Sequence, residues 1–395
     1  MSNNQSSKML AIYSLAAGNF AAGMCTLVMA GVLSEIATGM GITTGQAGQL
    51  ISVYSLVNAI GAPLIMAFTN GFERRTMLVA GMLLILLGNA VAALAPSYPI
   101  LMAARIVTAF GAAAYVPLAA AVAISMANPE ERGRVSAIVF TGFTLATALG
   151  LPIGTFIGLN LGWRFTFTSV ALLGLISGYL MWLEVPRAAK TPTVSLAILG
   201  QVFGNSLLIV VLSVTVLQFA GQMALFAYIA PWLRSLTTLG ATGISLILLV
   251  VGVGGIVGNY IAGISTDRFG AKQTQLVLII LLVISMALMP IIRANLALGA
   301  LIFFVWGAVG QGFIAPQLVR LVGLNQELSS ATLSLNSSFI NVGLALGAAA
   351  GGLYIDSIGV ESLPWLGVGG VIISIGVFVL SWMMENSRQM AAAPS

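Results

Sequence analysis

Long apolar segments constrain this chain more than any other feature of its sequence. They recur along all 395 residues, and only short polar stretches separate them. An α-helix rises about 1.5 Å per residue, so about 20 apolar residues are enough to cross the hydrocarbon core of a bilayer. The sequence therefore predicts an all-α integral membrane protein with twelve spans, at residues 9–33, 47–69, 76–95, 99–127, 135–159, 165–184, 206–230, 243–264, 274–292, 297–322, 331–354 and 364–384.

The composition excludes most other classes of protein. Only 6% of the residues are charged, whereas a soluble domain carries roughly a quarter. Histidine is absent and Cys25 is the only cysteine, which excludes disulfides within the chain, cysteine-rich zinc sites and acid–base catalysis by histidine. We therefore expect no enzyme activity, no cofactor and no metal. The expected partners are a small-molecule solute and the lipid bilayer, with protons as a candidate, and we expect a monomer that binds no nucleic acid.

The basic residues predict how the chain is oriented. With the N-terminus in the cytoplasm, three basic residues fall in outer loops, at Arg164, Arg234 and Arg293, and Arg105 falls within a span. Cytoplasmic loops are enriched in Lys and Arg. We therefore predict a bacterial inner-membrane protein with both termini in the cytoplasm. The remaining basic residues form the cytoplasmic set, which is Lys8, Arg74, Arg75, Arg132, Arg134, Arg187, Lys190, Arg268, Lys272, Arg320 and Arg388.

The two halves of the sequence resemble each other. A shift of 197 residues places "GAPLIMAFTNGFERR" over "GNYIAGISTDRFGAK" and "ALGLPIGTFIG" over "ALGAAAGGLYI", without a gap in either match. Two matches at one offset favour duplication over chance alignment of small residues. We therefore predict a six-helix bundle at residues 1–184, a cytoplasmic linker at 185–205 and a second six-helix bundle at 206–395. Such repeats place the transport pathway between the halves near the membrane midplane.

Several motifs resemble the major facilitator superfamily, and more closely its twelve-span drug:proton antiporter branch, which includes bacterial sugar and arabinose efflux permeases. "STDRFGAK" is similar to the family's loop motif, "ARIVTAFGAAA" to its motif with a membrane arginine, and "GFTLATALGLPIGTFIG" to its exporter motif. The fragment "LGWRFTF" resembles the efflux-permease branch. The resemblance implies the fold of that family and export by rocking two halves around a central cavity.

Two departures from the family pattern leave the energy source open. Asn70 stands where the first loop motif often has aspartate, and Thr26 stands where the first span often has a membrane glutamate. No acidic residue is expected at mid-membrane, whereas a proton-coupled carrier needs a group that titrates. Proton antiport and an uncoupled facilitator therefore both remain alternatives. A non-transporting receptor or scaffold on the same fold is an alternative of a different class.

Arg105 is the one basic residue that the sequence places inside a span. An unpaired arginine there costs on the order of 2.5 to 3.5 kcal/mol, so we expect it to bond to carbonyls or to amides such as Asn19 or Asn58. Three roles are open. The resemblance implies coupling or a helix contact at the cavity, the residue could pin helix four to helix one, or it could contact an anionic or hydroxyl-rich solute.

Amides and hydroxyls recur at helical spacing along several spans, which places them on shared faces. Either they join helices by hydrogen bonds, typically worth about 0.6 kcal/mol each, or they line a cavity for sugars, nucleosides or uncharged drugs. The candidate solute-binding residues are Asn19, Thr26, Tyr54, Asn58, Arg105, Thr144, Gln218, Gln222, Gln311, Asn336 and Asn341.

Charged residues in the cytoplasmic loops are candidates for a gate. The family fold implies that Asp267 meets Arg132 or Arg134, and by symmetry Arg74 or Arg75 would reach Glu327. Pro152 would bend span five because proline removes an intrahelical hydrogen bond, and the resemblance implies a seal there. The alternative is that these charges are solvated topology signals. The candidate gating residues are Arg74, Arg75, Arg132, Arg134, Pro152, Asp267, Arg268 and Glu327.

Overall fold

The computed structural model describes residues 2–68, 72–128, 131–187 and 196–392, and this part of the chain contains helices and no strand. Asn70 and Lys190, used in the sequence analysis, lie outside the described residues. The helices are α1 (Ser2–Leu27), α2 (Met29–Met40), α3 (Thr44–Phe68), α4 (Arg74–Leu94), α5 (Tyr98–Ser125), α6 (Arg132–Leu145), α7 (Leu151–Leu161), α8 (Trp163–Glu184), α9 (Leu196–Gly204), α10 (Ser206–Phe226), α11 (Ile229–Leu236), α12 (Ala241–Phe269), α13 (Ala271–Leu288), α14 (Leu296–Gly312), α15 (Ile314–Leu324), α16 (Ser329–Ser357) and α17 (Leu363–Ala392).

Twelve helical segments of the described chain are long and apolar enough to cross a bilayer. The predicted all-α architecture with twelve spans is therefore confirmed. The bounds differ in places. The first span was predicted to run unbroken over 9–33, but α1 ends at Leu27 and α2 continues to Met40, where Gly41 ends it with a left-handed φ of 64°. The last helix continues to Ala392, past the predicted end at residue 384.

Spans one and seven are interrupted at corresponding positions of the sequence. The first breaks at Val28, between α1 and α2, and the seventh breaks at Ala227 and Tyr228, between α10 and α11. Paired interruptions of this kind mark binding sites in transporters, because a helix break frees backbone carbonyls that can bind a ligand or a side chain. The second break has a local sequence signal, since Pro231 lies four residues after Ala227 and cannot donate a hydrogen bond to its carbonyl. The first break has no such proline.

Span five contains a π-helical turn. It covers Ala146–Gly150 and leads directly into α7, whose second residue is Pro152. Proline cannot donate to the preceding turn, and the wider turn accommodates the missing hydrogen bond. The sequence predicted a bend at Pro152, and the structure shows the local form that the irregularity takes.

The described chain divides into two compact units. Unit 1 comprises Met1–Val194 and Leu239–Leu249, and unit 2 comprises Ser195–Thr238 and Val250–Ser395. In unit 1 the largest helix contacts join α4 to α5 and α8, α3 to α5, and α1 to α6. In unit 2, α10 is central and packs on α16 and α17. The predicted linker, residues 185–205, includes a short helix, α9.

Small residues allow the helices of unit 2 to approach closely. Along α16, Gly343, Gly347 and Gly351 lie against the backbone carbonyls of Val216, Ala220 and Ala224 on α10, at a spacing of four residues on each helix. A Cβ atom at any of the three glycines would overlap a carbonyl oxygen. Glycines at this spacing therefore hold α10 and α16 at short distance, as in other membrane helix pairs.

Candidate functional site

Arg105 lies in the core of unit 1, with an exposed fraction of 1%. Its Nη2 donates to the carbonyl oxygen of Cys25 at 2.8 Å, and its guanidinium stacks 4.2 Å above the ring centre of Tyr54. Cys25 is among the last four residues of α1, whose carbonyls find no partner further along the helix. Arg105 therefore caps the negative end of α1, where a cation is favourable.

Further polar contacts extend this arrangement, which we call the Arg105 cluster (Cys25, Thr26, Tyr54, Asn89 and Arg105). The Thr26 hydroxyl donates to the Tyr54 hydroxyl at 3.2 Å. The Asn89 amide donates to the Ile85 carbonyl at 2.8 Å and contacts the Cys25 sulfur at 3.4 Å. The cluster joins α1, α3, α4 and α5 through side chains that face one another.

The sequence analysis predicted that Arg105 bonds to a carbonyl or an amide, and a carbonyl is the partner observed. The prediction that Asn19 is that partner is wrong. The Asn19 amide donates instead to the Val139 carbonyl at 3.0 Å. Asn58 is half-buried, one turn along α3 from Tyr54, and hydrogen-bonds that tyrosine. A backbone carbonyl at a helix break competes well with an amide side chain because it is already fixed in place.

Two donors of Arg105 have no hydrogen-bond partner. Nε and Nη1 are both buried and unpaired, and so is the side-chain oxygen Oδ1 of Asn19. An unsatisfied buried donor costs about 1–3 kcal/mol, and more when it is charged. Such atoms are uncommon in cores and require an explanation, for example a water molecule or a ligand that the chain binds.

Unit 2 contains a second set of unpaired polar atoms, which we call the Gln218 site (Gln218, Gln222, Phe226 and Trp306). Gln218 is fully buried, and neither its Nε2 nor its Oε1 has a hydrogen-bond partner. The indole Nε1 of Trp306 is also buried and unpaired. Two donors and one acceptor are therefore available on α10 and α14.

The remaining residues of the Gln218 site lie on α10 and contact α14. Gln222, one turn after Gln218, contacts α14 at Gly310, and the ring of Phe226 lies 5.8 Å from that of Trp306. Gln311, also predicted to bind solute, is half-buried and packs against Gly255 of α12. Aromatic rings beside amide groups can bind a solute that has both apolar faces and hydroxyl groups.

A hydrogen-bonded chain in unit 2 was missed by the sequence analysis. We call it the polar chain, and it consists of Lys272, Glu385, Arg320, Gln275, Gln317, Thr215 and Asn336. Arg320 was counted among the charges of the cytoplasmic loops, but it lies within α15 with an exposed fraction of 4% and pairs with Glu385. The spacing of Gln317 and Arg320, three residues apart on one helix, is the signal that could have found it. Only Asn336 of this chain was predicted as a site residue.

The other candidate binding residues bond within their own helices. Thr144 donates to the Phe140 carbonyl at 3.3 Å, and Asn341 donates to the Ser337 carbonyl at 3.0 Å. Both side chains are half-buried.

The candidate gating residues differ widely in their surroundings. Arg74 is buried, and the guanidinium of Arg75 stacks 4.6 Å above the ring centre of Trp182. The other charged members, Arg132, Arg134, Asp267, Arg268 and Glu327, are exposed. Pro152 is buried in α7. The pairings expected among these charges stay predictions.

One ion pair joins α1 to the residue that precedes α6. Lys8 Nζ lies 3.0 Å from Glu131 Oε2. The hydrogen bond and the charge of Lys8 lower the pKa of Glu131 from its ordinary value. Glu131 also precedes α6, where the positive end of the helix favours a carboxylate.

Comparison with known proteins agrees with this architecture. The family model described as Major Facilitator Superfamily matches residues 15–326. The chain belongs to the major facilitator superfamily. It is therefore a multi-pass membrane transporter and not an enzyme.

Individual members of the superfamily match over nearly the whole chain. The chain is 33% identical over 383 residues to the inner membrane transport protein YdhP of Escherichia coli K12, covering 96% of each protein. It is 30% identical over 381 residues to the uncharacterized MFS-type transporter YbcL of Bacillus subtilis, covering 96% of this chain and 97% of that one. The crystal structure of a D-xylose–proton symporter shares the fold, with a TM-score of 0.76 at 17% identity over 94% of this chain and 96% of that one.

Proposed function

We propose that this superfamily member exports a small neutral or amphipathic solute, such as a sugar, a nucleoside or an uncharged drug, in exchange for protons. It would work as a monomer in the inner membrane of a bacterium, by rocker-switch alternating access, with both termini in the cytoplasm. The observation that carries this proposal is the Gln218 site. Its fully buried amide has a donor and an acceptor without a protein partner.

The chemistry of the unpaired atoms suits a neutral solute. Gln218 offers one donor and one acceptor group, and Trp306 offers one donor. Neither residue is charged, so both would match hydroxyl or carbonyl groups, and the ring of Phe226 next to Trp306 would cover an apolar face of the solute. In unit 1, the unpaired Nε and Nη1 of Arg105 would favour a further oxygen acceptor.

Export is preferred because "GFTLATALGLPIGTFIG" resembles the exporter motif, and the π-helical turn lies within that sequence. The second candidate is an uncoupled facilitator of the same solutes. It is favoured by the surroundings of most acidic residues whose side chains the structure describes. Only Glu385 among them is buried, and the exposed ones are Glu73, Asp267, Glu327, Asp356 and Glu361.

A thermal-unfolding screen tests the solute class. Cys25 is the only cysteine and is buried, so a thiol-reactive dye reports unfolding without any added label. The purified protein is screened against pentoses, hexoses, nucleosides and uncharged drugs. We expect at least one of these compounds to raise the unfolding temperature, and no shift with any of them would contradict the proposed class.

Two matched variants identify the site. Gln218→Leu removes only unpaired polar atoms, so the solute-free protein should be as stable as wild type or more stable, while the solute-dependent shift disappears. Gln317→Leu is the control, because all three polar contacts of the buried Gln317 are made to protein groups. We expect this control to lower the unfolding temperature. If Gln218→Leu keeps the solute-dependent shift, the site is wrong.

Flux measurements test direction and energy source. The solute found in the screen is followed in everted membrane vesicles with and without a proton gradient. A proton-driven exporter accumulates solute in these vesicles, and an uncoupler abolishes the accumulation. Flux that only follows the solute gradient and survives the uncoupler would favour the facilitator.

A further inference from the structure

A charged pocket of about 400 Å³ lies at one end of unit 1, where α4 begins and α8 ends. Its lining residues are Glu73, Arg75, Thr76, Trp182 and Arg187, and we call it the Arg75 pocket. Since one water molecule takes about 30 Å³ in the liquid, the pocket has room for a group much larger than water. We infer that it binds the headgroup of an anionic phospholipid, with the lipid phosphate against the two arginines.

Arg75 has hydrogen-bond donors that the protein does not use. Its guanidinium lies 4.6 Å from the ring centre of Trp182, and stacking of this kind leaves the N–H groups in the guanidinium plane free for an acceptor. The Nε atom of Arg75 is buried and has no hydrogen-bond partner. Neither Arg75 nor Arg187 forms an ion pair with a described residue. Because an unsatisfied charged donor is costly, an oxygen acceptor from outside the protein would be favourable here.

The charges that line the Arg75 pocket do not cancel. Arg75 and Arg187 are two cations and Glu73 is one anion, which leaves one positive charge in excess, and Glu184 does not line the pocket. The Glu73 carboxylate already accepts from the Thr76 hydroxyl at 2.9 Å. A phosphodiester carries one negative charge and neutralises the excess, whereas a zwitterionic lipid would bring an ammonium group as well. The pocket therefore favours phosphatidylglycerol over phosphatidylethanolamine and phosphatidylcholine.

Unit 2 repeats this arrangement but supplies its own anion. The shift of 197 residues places Arg75 over Lys272, and Lys272 Nζ lies 5.9 Å from the ring centre of Trp382, in the last helix of unit 2. Glu385, three residues after that tryptophan, lies 2.8 Å from Lys272 Nζ. In unit 1 the residue three positions after the stacked tryptophan is Val185, which cannot pair with a cation. Unit 1 therefore lacks the anion that unit 2 supplies at this position, and a pocket lies beside the cation instead.

The surface next to the pocket favours a lipid over a soluble phosphate. α4 and α8 pack side by side, with Gly178 against Met82, and both belong to membrane-spanning segments. Trp182 is 49% exposed, and Tyr179 and Leu175, one and two turns before it on the same face of α8, are 62% and 49% exposed. Acyl chains can lie along this face while the headgroup occupies the pocket. Basic pockets between spans on the cytoplasmic side bind anionic headgroups, and the orientation predicted above places the pocket on that side.

Native mass spectrometry of the purified full-length protein counts the lipids that it binds. Delipidated protein is incubated with phosphatidylglycerol, phosphatidylethanolamine or phosphatidylcholine of identical acyl chains, and phosphatidylglycerol is then challenged with millimolar inorganic phosphate. We expect one phosphatidylglycerol to bind more tightly than either zwitterionic lipid, and phosphate not to displace it.

Arginine variants locate the bound lipid. Arg75→Gln should weaken the binding of phosphatidylglycerol about fivefold, the factor expected for one basic residue next to an anionic lipid surface. Arg268→Gln is the matched control, because the guanidinium of Arg268 also lies over a ring, 5.3 Å from that of Phe269, but does not line the pocket. This control should bind phosphatidylglycerol as wild type does.

Arg187→Gln keeps the test decisive if Arg75→Gln folds poorly, because Arg187 is exposed. It should weaken the binding of phosphatidylglycerol by a similar factor and leave the unfolding temperature, measured with the thiol-reactive dye, unchanged. Equal binding of the three lipids would overturn the inference, and so would unchanged binding of phosphatidylglycerol in both arginine variants. Displacement of the lipid by inorganic phosphate would assign the pocket to a soluble anion and would overturn the inference as well.

Discussion

Arg105 illustrates how a single buried charge is stabilised in an apolar interior. We predict that Arg105→Gln lowers the free energy of unfolding by about 2–4 kcal/mol, because it removes a charged hydrogen bond to the Cys25 carbonyl and the stacking on Tyr54. Thermal and denaturant unfolding in detergent measure the loss. Arg105→Lys is the matched control, since it keeps the charge but not the planar group, and it should recover part of the stability. Equal stability of all three proteins would show that the contacts contribute nothing.

The pair of Lys8 and Glu131 gives a prediction about pH. Lys8 lowers the pKa of Glu131, so the pair stabilises the fold fully above the ordinary pKa of a glutamate. This contribution is lost as the pH falls below that value and through the lowered pKa of Glu131. We predict that Lys8→Gln reduces the drop in unfolding temperature between about pH 7 and about pH 3, a range that extends below the ordinary pKa of a glutamate. Scans at the two pH values measure it. Glu131→Gln should show the same reduced drop, and an unchanged drop in both variants would contradict the prediction.

At the scale of residues, the sequence could predict that Arg105 needs an acceptor but not which one it uses. The acceptor is freed by the break at Val28, and that break has no proline or glycine signal. The contact between Arg320 and Glu385 was still harder to predict from the sequence. The two are 65 residues apart in the sequence, and only the packing of α15 and α17 in unit 2 brings them together.

At the scale of helices, close packing of α10 on α16 requires glycine. We predict that Gly347→Ala lowers the free energy of unfolding by about 1–3 kcal/mol, because its Cβ would overlap the carbonyl oxygen of Ala220 and force the helices apart. Unfolding with the thiol dye measures the change. Gly376→Ala is the control, since no atom lies within 4 Å of a Cβ placed there on α17, and it should be neutral or stabilising by up to about 1 kcal/mol. Similar losses of stability in both variants would show that the replacement of glycine itself lowers the stability, and not the overlap with the Ala220 carbonyl.

The existence of most helices followed from hydropathy alone. A single apolar segment in lipid can satisfy the hydrogen bonds of its backbone N–H and C=O groups only by forming a helix. Their internal irregularities followed only where proline marks them, as Pro152 does for the π-helical turn. Pro231 marks the break in span seven in the same way, because it cannot donate to the carbonyl of Ala227. The break at Val28 lacks such a residue. It depends on which neighbouring group donates to the freed carbonyls, which is a tertiary property, as the contact of Arg105 with Cys25 shows.

At the scale of the whole molecule, the charge distribution predicts the orientation in the membrane. Eleven of the 15 basic residues fall on the side assigned to the cytoplasm, three fall on the other, and one lies within a span. The twelve spans bring both termini to the same side. We therefore predict that green fluorescent protein fused after Ser395 fluoresces, whereas alkaline phosphatase fused at the same position is inactive, since each reporter works on one side of the membrane only.

A fusion within the chain supplies the control for this orientation. Truncation after Asn295, in the short connection between α13 and α14, places a reporter in a predicted outer loop. There we expect active phosphatase and no fluorescence. The reverse pattern at both positions would invert the topology. It would also place the Glu385, Arg320 and Lys272 group on the outer side, where the basic residues of this chain would no longer follow the charge rule that governs insertion.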